Sequence, residues 1–328
     1  MKQSCSRRVA IAVCGLVFTG LSVAQPVAAQ SYPAKPVRIV VPYPPGGVTD
    51  ILTRIVGQKL TETWRQQVII DNRAGGSGNI GAELVVRSPA DGYTLLSAST
   101  VHTVNPSLYA KLSYDPLKDF TPITLMAQVA NVLVVHPSLP VKSVKEFIAF
   151  ARQRPGQLHY SSAGNGSAPH LTAELFKMKT GIKLVHVPYK GAAPAMSDLL
   201  AGHVVLTFAT APSGVPPVQQ GKLRALGVSG ASRMAALPDV PTIAEAGVPG
   251  YEAVGWNGLV GPAGLPPAIV GAINVEVGRI LKAPDIHKRL VDLGVEPRIS
   301  TAGEFSTFLK DEVTQWAKVV KESGARVD

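Results

Sequence analysis

Apolar positions change their spacing near the start of the chain, and the change separates a strand from a helix. Residues 37–41 form a short, mostly apolar run rich in β-branched side chains, which predicts a buried strand. From Val48 the apolar positions fall at 48, 51, 52, 55, 56 and 60, the spacing of an amphipathic helix. The pattern therefore predicts a strand and a helix joined by residues 42–47.

The connecting turn is rich in proline and glycine. It contains Pro42, Pro44, Pro45, Gly46 and Gly47. Proline removes backbone donors, whereas glycine lets the backbone come close to a neighbouring group. The helix that follows has free N–H groups in its first turn, and these favour an anion. The turn is therefore interpreted either as part of an anion site or as an ordinary connection between a strand and a helix.

Strand and helix patterns alternate through most of the remaining chain. Further strands are expected at 67–71, 93–98, 158–161, 183–187, 204–208 and 224–228, and helices at 81–87, 143–153 and 194–201. This alternation predicts a parallel α/β sheet in two similar halves. Residues 105–122 are expected to be irregular, the Pro- and Gly-rich stretch 238–267 to be a return connection, and the remainder from about residue 269 to be mostly helical.

The second half contains a loop that resembles the first turn, because it is also glycine-containing and lies between a predicted strand and a predicted helix. The sequence SSAGNGSAPH (161–170) follows a predicted strand and precedes a helix whose first turn contains His170. Gly164 and Gly166 permit close approach of the backbone, and Ser167 is expected to cap the helix. Two such loops facing one another across a cleft would bind a carboxylate from both sides through N–H groups and helix dipoles.

The first 29 residues have the pattern of a cleaved secretory signal peptide. Lys2, Arg7 and Arg8 precede a mostly apolar stretch, and Val27-Ala28-Ala29 is a small-residue cleavage site. Cleavage after Ala29 would remove both cysteines, Cys5 and Cys14, so the mature protein would have no thiol and no disulfide. The alternative is a lipoprotein anchor at Cys14. The pattern indicates a periplasmic protein.

Charge and motif content argue against several classes of protein. Removing three basic residues and no acidic ones lowers the formal charge from +10 to +7, and the remaining Lys and Arg form no run typical of a nucleic-acid-binding arm. GSGNIG (76–81) matches a dinucleotide fingerprint, but its spacing favours a glycine loop near the pocket, with Ser77 as a candidate contact. The pattern G-x-S-x-G is absent, and no histidine has another at a spacing of three or four residues. We therefore expect no metal, no cofactor and no catalytic residue.

Seven motifs in order resemble those of the Bug (TctC-like) solute-binding receptors of tripartite tricarboxylate transporters. They are YPAKPVRIVVPYPPGGVTD (32–50), DNRAGGSGNIGAE (71–83), PADGYTLL (89–96), SAGNGSAPHLTAELF (162–176), VPYKGAAPAMSDLLAGHV (187–204), GKLRALGVS (221–229) and LPDVPTIAEAGVPGYE (237–252). The resemblance covers essentially the whole mature chain. It implies an α/β, two-domain periplasmic binding protein (type II-like) with its ligand cleft between the domains.

The resemblance also implies domain boundaries and a binding site. The first domain would comprise 30–128 and the return segment 256–328, the second 129–255, with hinge linkers near 128–130 and 253–257. The first loop would contribute Tyr43, Pro44, Gly46, Gly47, Thr49 and Asp50. The second loop would contribute Ser161, Ala163, Gly164, Asn165, Gly166, Ser167 and His170. The walls would come from Ser97, Ser99, Thr100, Tyr189, Gly191, Ala209 and Thr210.

The function implied is that of a receptor, not an enzyme. It would close around a small organic carboxylate and deliver it to the membrane subunits of a transporter, acting as a monomer. Ala209 stands where amino-acid-binding relatives typically have aspartate, which favours di- or tricarboxylates or aromatic acids unless Asp50 faces the cleft. Gly47 and Gly166 are both expected to have positive φ and to border the anion. A secreted hydrolase and a ligand-sensing subunit of a signalling system remain the alternatives.

Overall fold

Strands and helices alternate through residues 32–323, the part of the chain that the computed structural model describes. The strands are β1 (Val37–Val41), β2 (Val68–Asn72), β3 (Thr94–Ser99), β4 (Phe120–Val135), β5 (His159–Ser162), β6 (Val185–Pro188), β7 (Leu206–Thr210), β8 (Arg224–Val228), β9 (Val254–Pro262) and β10 (Val295–Pro297). The helices are α1 (Val48–Trp64), α2 (Asn79–Val86), α3 (Thr100–Leu108), α4 (Val144–Arg152), α5 (Ala168–Thr180), α6 (Ala192–Leu200), α7 (Ala211–Gln219), α8 (Pro267–Lys282), α9 (Pro284–Asp292) and α10 (Ala302–Ser323). The predicted signal peptide, Cys5 and Cys14 lie outside these residues.

The long strand β4 joins two sets of strands. The order along the sheet is β2-β1-β3-β9-β4-β7-β5-β6, and β8 and β10 also pair with β4. Residues 120–130 of β4 pair with β9, whereas residues 131–135 pair with β7. On one side β1 is parallel to β2 and β3, and on the other β5 is parallel to β6 and β7. The expected α/β class is confirmed, but the sheet is mixed and not purely parallel, because β4 is antiparallel to β7, β8 and β9.

Helix α1 has the buried stripe that its sequence predicts. Leu52, Ile55, Val56 and Leu60 are each no more than 4% exposed and belong to the largest apolar cluster of the described residues. These positions lie on one face of a helix, so burying them fixes α1 against the sheet. The start of α1 is thereby held at the end of β1.

The stretch 238–267 was expected to be a return connection, and this prediction is wrong for its second part. Strand β9 occupies Val254–Pro262 and lies between β3 and β4, antiparallel to both. Its glycines resemble loop residues in sequence, but they allow close packing. A Cβ on Gly258 would lie 2.4 Å from Phe305, and one on Gly261 would lie 2.2 Å from Leu265.

Two helices were missed because their sequences contain helix breakers. Helix α3 includes Pro106 and covers the start of the stretch expected to be irregular, and α7 includes Pro212, Pro216 and Pro217. Proline is tolerated in a first helical turn, as at Pro212, whereas Pro106, Pro216 and Pro217 stand inside their helices and each removes a backbone donor there. Tertiary packing therefore overrides the local signal at both sites.

The predicted hinge segments lie mostly in paired strands. Gln128, Val129 and Ala130 of β4 lie opposite Trp256, Gly255 and Val254 of β9. The described residues belong to one compact unit, so the division at 128/129 and 255/256 stays a prediction. Within the described ranges, the structure shows no helix with the length and apolarity needed to cross a membrane.

Candidate functional site

Five helices begin around one cleft. Each of α1, α3, α5, α6 and α7 follows a strand directly or through a short loop, and its N-cap or first residues line the same space. The cleft holds about 630 Å³ of empty space, counting its open mouth. Its lining residues are Tyr43, Pro44, Gly47, Val48, Thr49, Ser99, Thr100, Val101, Val129, Ala163, Ser167, Ala168, Pro169, Gly191, Ala192, Thr210, Gly255, Trp256 and Asn257.

The electrostatic character of the cleft comes from backbone and not from charged side chains. None of the described lining residues is Lys, Arg, Asp or Glu. The first turn of a helix has N–H groups without partners in the helix and carries the positive end of the helix dipole. Five such ends around one space make the cleft electropositive without a cationic side chain.

The first loop meets the rest of the cleft through Tyr43. The Tyr43 hydroxyl lies 3.2 Å from Ser99 Oγ, which connects the first loop to the start of α3. Burial raises the pKa of Tyr43 to about 12, so the phenol is neutral at physiological pH. Tyr43 therefore contributes a neutral polar group and an aromatic ring to the wall.

Asp50 supports the first loop from behind and does not line the cleft. Its carboxylate accepts hydrogen bonds from the Gly46 N–H at 3.0 Å, from Arg54 at 3.0 Å and from Asn72 at 2.9 Å. Burial alone would raise the pKa of Asp50, but these bonds hold it below its ordinary value. Asp50 is therefore an anion committed to protein donors, which corrects its expected place in the cleft.

The second loop is held by its own side chains. The Ser167 hydroxyl donates to the Gly164 carbonyl at 2.6 Å, and the Gly166 N–H donates to His170 Nδ1 at 3.1 Å. Ser167 occupies the N-cap position of α5, but its side chain makes no cap hydrogen bond, contrary to expectation. These bonds fix Ala163, Ser167 and Pro169 as one wall of the cleft.

A stacked histidine pair lies behind the second loop. The rings of His170 and His186 are 4.1 Å apart, and His186 also stacks on Tyr160 at 4.8 Å. Burial lowers the pKa of His170 to about 4 and that of His186 to about 3, so both rings are neutral at pH 7. His170 therefore supports the loop and is not among the lining residues.

Ser162 and His186 form the contact most similar to a hydrolase pair. Ser162 Oγ lies 2.6 Å from His186 Nε2, but Ser162 is only 1% exposed and does not line the cleft. No described carboxylate is hydrogen-bonded to His186 Nδ1. The arrangement fits a structural bond better than an activated nucleophile, which needs access to substrate.

Ten of the predicted site residues line the cleft. They are Tyr43, Pro44, Gly47, Thr49, Ser99, Thr100, Ala163, Ser167, Gly191 and Thr210. They come from five separate segments of the chain, and the fold brings them to one space. Whether each contacts a ligand is still a prediction.

The other predicted residues lie behind the lining or in the core. Gly46, Gly164, Asn165 and Gly166 shape the loops without lining the cleft. Ser97 bonds to Thr53, Ser161 points its Oγ to the Ala195 carbonyl, and Tyr189 donates to Asp198. Ser77 accepts a bond from Asn105 through its carbonyl, and Ala209 packs in the apolar core. None of these residues is among the described residues that line the cleft.

The positive φ expected at both loop glycines is found at Gly166 in the second loop but not at Gly47 in the first. Gly166 has φ +74°, and a Cβ there would lie 2.7 Å from Leu108. Gly47 has φ −82°, an ordinary extended conformation, and a Cβ there would meet nothing within 4 Å. Gly47 therefore leaves open space at the cleft, whereas Gly166 permits tight packing.

The floor of the cleft was missed by sequence reasoning. It consists of Val129 from β4 and Gly255, Trp256 and Asn257 from β9. The Thr49 hydroxyl donates to Asn257 Oδ1 at 2.7 Å. The backbone N–H of Trp256 donates to Thr100 Oγ1 at 3.1 Å. The available signal was an asparagine inside an apolar run, because a buried amide needs a partner or a ligand.

Comparison with known proteins identifies the family of this chain. The family model described as "Tripartite tricarboxylate transporter family receptor" matches residues 52–325. The chain is 36% identical over 319 residues to Protein BugT of Bordetella pertussis, and the match covers 97% of this chain and 98% of that relative.

Three solved structures share the fold. R. palustris Rpa4515 with adipate has a TM-score of 0.87 and 42% identity, covering 89% of this chain and 98% of its own. MatC from Rhodopseudomonas palustris with bound malate has a TM-score of 0.83 and 31% identity, covering 88% and 100%. The periplasmic binding protein BugD has a TM-score of 0.85 and 31% identity, covering 90% and 99%. The chain therefore belongs to the tripartite tricarboxylate transporter receptors, the family of periplasmic solute-binding proteins that includes BugT and BugD.

Proposed function

We propose that this receptor binds a small carboxylate without an amino group in the cleft and delivers it unchanged to the membrane subunits of a transporter. The observation that carries the proposal is the convergence of five helix N-termini on a cleft without a charged side chain. Backbone N–H groups and helix dipoles favour an anion there. The absence of acidic side chains in the described lining disfavours a cationic ligand.

The apolar part of the lining favours an extended hydrocarbon body. Val48, Val101, Val129, Ala168 and Ala192 contribute aliphatic surface between the helix ends. Such surface stabilises methylene groups by removing them from water, at about 0.8 kcal/mol for each. The proposal for this chain agrees with the ligands of two related structures, adipate and malate. Aliphatic dicarboxylates are the first class to test.

The mechanism proposed is closure of the two loops around the ligand. Residues on both sides of 128/129 and 255/256 belong to continuous strands, so bending would occur within the paired segment of β4 and β9. We propose that the receptor acts as a monomer. Secretion to the periplasm with cleavage after Ala29 completes the proposal and agrees with the family.

The experiment that tests this function is calorimetry of the mature protein, residues 30–328, with adipate, malate, succinate and glutarate. Adipamide serves as a neutral control of the same length as adipate. The proposal requires saturable binding of at least one acid and none of adipamide. Proton NMR of the acid after long incubation separates capture from catalysis, because a receptor returns its ligand unchanged. Equal binding of adipate and adipamide would contradict an anion site.

A further inference from the structure

Asn257 stands out among the polar side chains that line the cleft because its amide nitrogen has no partner. It is 2% exposed, and its Oδ1 accepts the Thr49 hydroxyl at 2.7 Å. The enclosed side-chain atoms without a partner in the described part of the chain are His102 Nε2, Asn105 Oδ1, Asn131 Oδ1 and Trp256 Nε1. Asn257 Nδ2 makes no hydrogen bond with described residues, yet it is not among these enclosed atoms. It therefore borders open space, and because Asn257 lines the cleft, that space is the cleft.

The hydroxyl groups nearby are largely committed to other protein atoms. Thr49 donates to Asn257, and Ser167 donates to the Gly164 carbonyl. Tyr43 and Ser99 share one hydrogen bond, and Thr210 is bonded to Ser213. A hydroxyl has only one proton to donate, so Thr49 and Ser167 have no proton left for a ligand, and the Tyr43–Ser99 pair has one proton left between its two hydroxyls. The Asn257 amide keeps both of its N–H donors free.

Thr49 also fixes which end of the Asn257 amide faces the cleft. The Thr49 hydroxyl donates to Oδ1 of Asn257, and this leaves the NH₂ group on the other side of the amide. Thr49 itself is held, because the Thr53 hydroxyl contacts the Thr49 carbonyl at 2.6 Å. Asn257 is therefore a preoriented donor on the floor of the cleft, close to the first turn of α1.

We propose that Asn257 is a ligand-binding residue whose amide N–H groups donate to an anionic oxygen of the bound solute, with Thr49 as its positioning residue. The assignment rests on the proposed function of the cleft. It adds a side-chain donor to the backbone N–H groups of the helix ends. A buried donor left unpaired costs free energy, so ligands that lack an oxygen at this point bind less tightly.

The first test replaces the donor while keeping its acceptor. Asn257→Asp preserves an oxygen for the Thr49 hydroxyl but removes both N–H groups and adds a like charge. We expect its affinity for adipate to fall by about a hundredfold or more at pH 7.5 and to recover partly at pH 5.5, as the new carboxyl becomes protonated. Asn257→Ala, without the added charge, should lose about tenfold or more with no such recovery.

The matched control is Gln128→Glu. Gln128 lies opposite Trp256 in the same strand pair but does not line the cleft, and its amide bonds to Arg298 instead. Like Asn257→Asp, the substitution changes an amide to a carboxylate, but at a position that does not line the cleft. Its affinity for adipate should stay within about twofold of wild type, because solvent and Arg298 screen the added charge.

Two further measurements keep the assignment testable if a variant folds poorly. Thermal unfolding of each ligand-free variant detects loss of the fold directly. In the wild-type protein, the side-chain ¹⁵N–¹H resonances of Asn257 should shift when adipate binds. Thr49→Val removes the bond to Oδ1 and should weaken binding several-fold, while the protein stays folded with a melting temperature lower by a few degrees.

Three results would overturn the assignment, and they distinguish its failure from the failure of the proposed function. If wild-type protein binds none of the acids, the proposed function fails and the assignment fails with it. If wild-type protein binds adipate, but both Asn257 variants fold and bind within twofold of it, only the assignment of Asn257 fails. Unshifted Asn257 resonances at saturation with adipate would lead to the same conclusion.

Discussion

Pro44 and Gly191 meet across the mouth of the cleft. A Cβ built on Gly191 would lie 3.3 Å from Cγ of Pro44, and Gly191 has φ +118°. Pro44 belongs to the loop after β1, whereas Gly191 precedes α6 on the other side of β4. The first loop and the α6 side of the cleft therefore come together at a point where a methyl group would be crowded. This contact suggests how closure would be completed.

We expect Gly191→Ala to weaken binding of the ligand by about tenfold. The new methyl group would press on Pro44, and the positive φ adds strain of about 1 kcal/mol. Gly156→Ala is the matched control, because Gly156 has φ +72° and nothing lies within 4 Å of its Cβ position. Calorimetry with adipate should separate the two variants. Equal affinities would show that the Pro44 contact does not limit closure.

Gly47→Val and Gly166→Val should fail in different ways. At Gly47 the extended backbone accepts valine and the side chain fills open space at the cleft, so binding should fall by about tenfold or more with little change in melting temperature. At Gly166 the positive φ and the 2.7 Å approach to Leu108 should lower the melting temperature by several degrees. Thermal unfolding and calorimetry on both variants check this. A stable Gly47→Val protein with unchanged affinity would remove the first loop from the site.

Glutarate should bind at least about a hundredfold more tightly than glutamate, which differs only by its ammonium group. Asp50 is occupied by Arg54, Asn72 and the Gly46 N–H, and no acidic side chain lines the described cleft. A buried ammonium without a carboxylate partner costs about 3 kcal/mol or more. Competition calorimetry at constant ionic strength measures the ratio. Tighter binding of glutamate would contradict this account.

Acid should destabilise the protein through the histidine pair behind the second loop. His170 has an ordinary pKa of 6.5 and a folded pKa of about 4, because burial disfavours its charged form. The unfolded chain therefore binds more protons between these values, so stability is full above pH 6.5 and falls as the pH drops toward 4. The groups that face the pair are Glu174 and Lys177 from α5 and Tyr160 from β5.

Urea unfolding at pH 7 and pH 5 checks this expectation. His170 alone should contribute a loss of about 2 kcal/mol over that range. His170→Gln, whose side-chain oxygen can still accept the Gly166 N–H, should flatten the pH dependence. The exposed His287→Gln is the control and should keep the wild-type dependence. A His170→Gln profile identical to wild type would assign the acid sensitivity to other groups.

The secreted protein should begin at Gln30 and carry no thiol. The basic residues, apolar stretch and Val27-Ala28-Ala29 of the first 29 residues motivate this expectation. N-terminal sequencing of periplasmic protein and a thiol assay on the same sample are the measurements. A lipid-modified N-terminus at Cys14 would show that the chain is anchored instead.

The sequence predicted those parts of the site that lie in segments with a clear local signal for a strand, a turn or a helix. Strand β1, the Pro/Gly turn and α1 carry their own signals, so Tyr43, Gly47 and Thr49 were expected at the cleft and lie there. Ala209 was misplaced, because strand alternation directs Thr210 to the cleft and its neighbour into the core. A strand end alone does not tell which of two adjacent side chains faces the ligand.

The floor could not be predicted, because it depends on contacts between distant segments. Asn257 acquires its role through Thr49, which lies more than two hundred positions earlier in the chain. Gly255, Gly258 and Gly261 resemble loop residues until their partners in space are known. Local propensity therefore predicts elements whose own residues carry a clear strand or helix signal. It does not predict a strand such as β9, whose pairing partners lie far away in the sequence.

The position of β9 has a consequence for the order in which the molecule can assemble. β9 is the strand between β3 and β4, yet it is made more than a hundred residues after either of them. During synthesis, residues 136–253 can collapse on local contacts, while the strands β1, β2 and β3 lack the strand that joins them to β4 until residue 262 has emerged. High contact order of this kind slows folding. The N-terminal part of the chain therefore stays open longest, although it is made first.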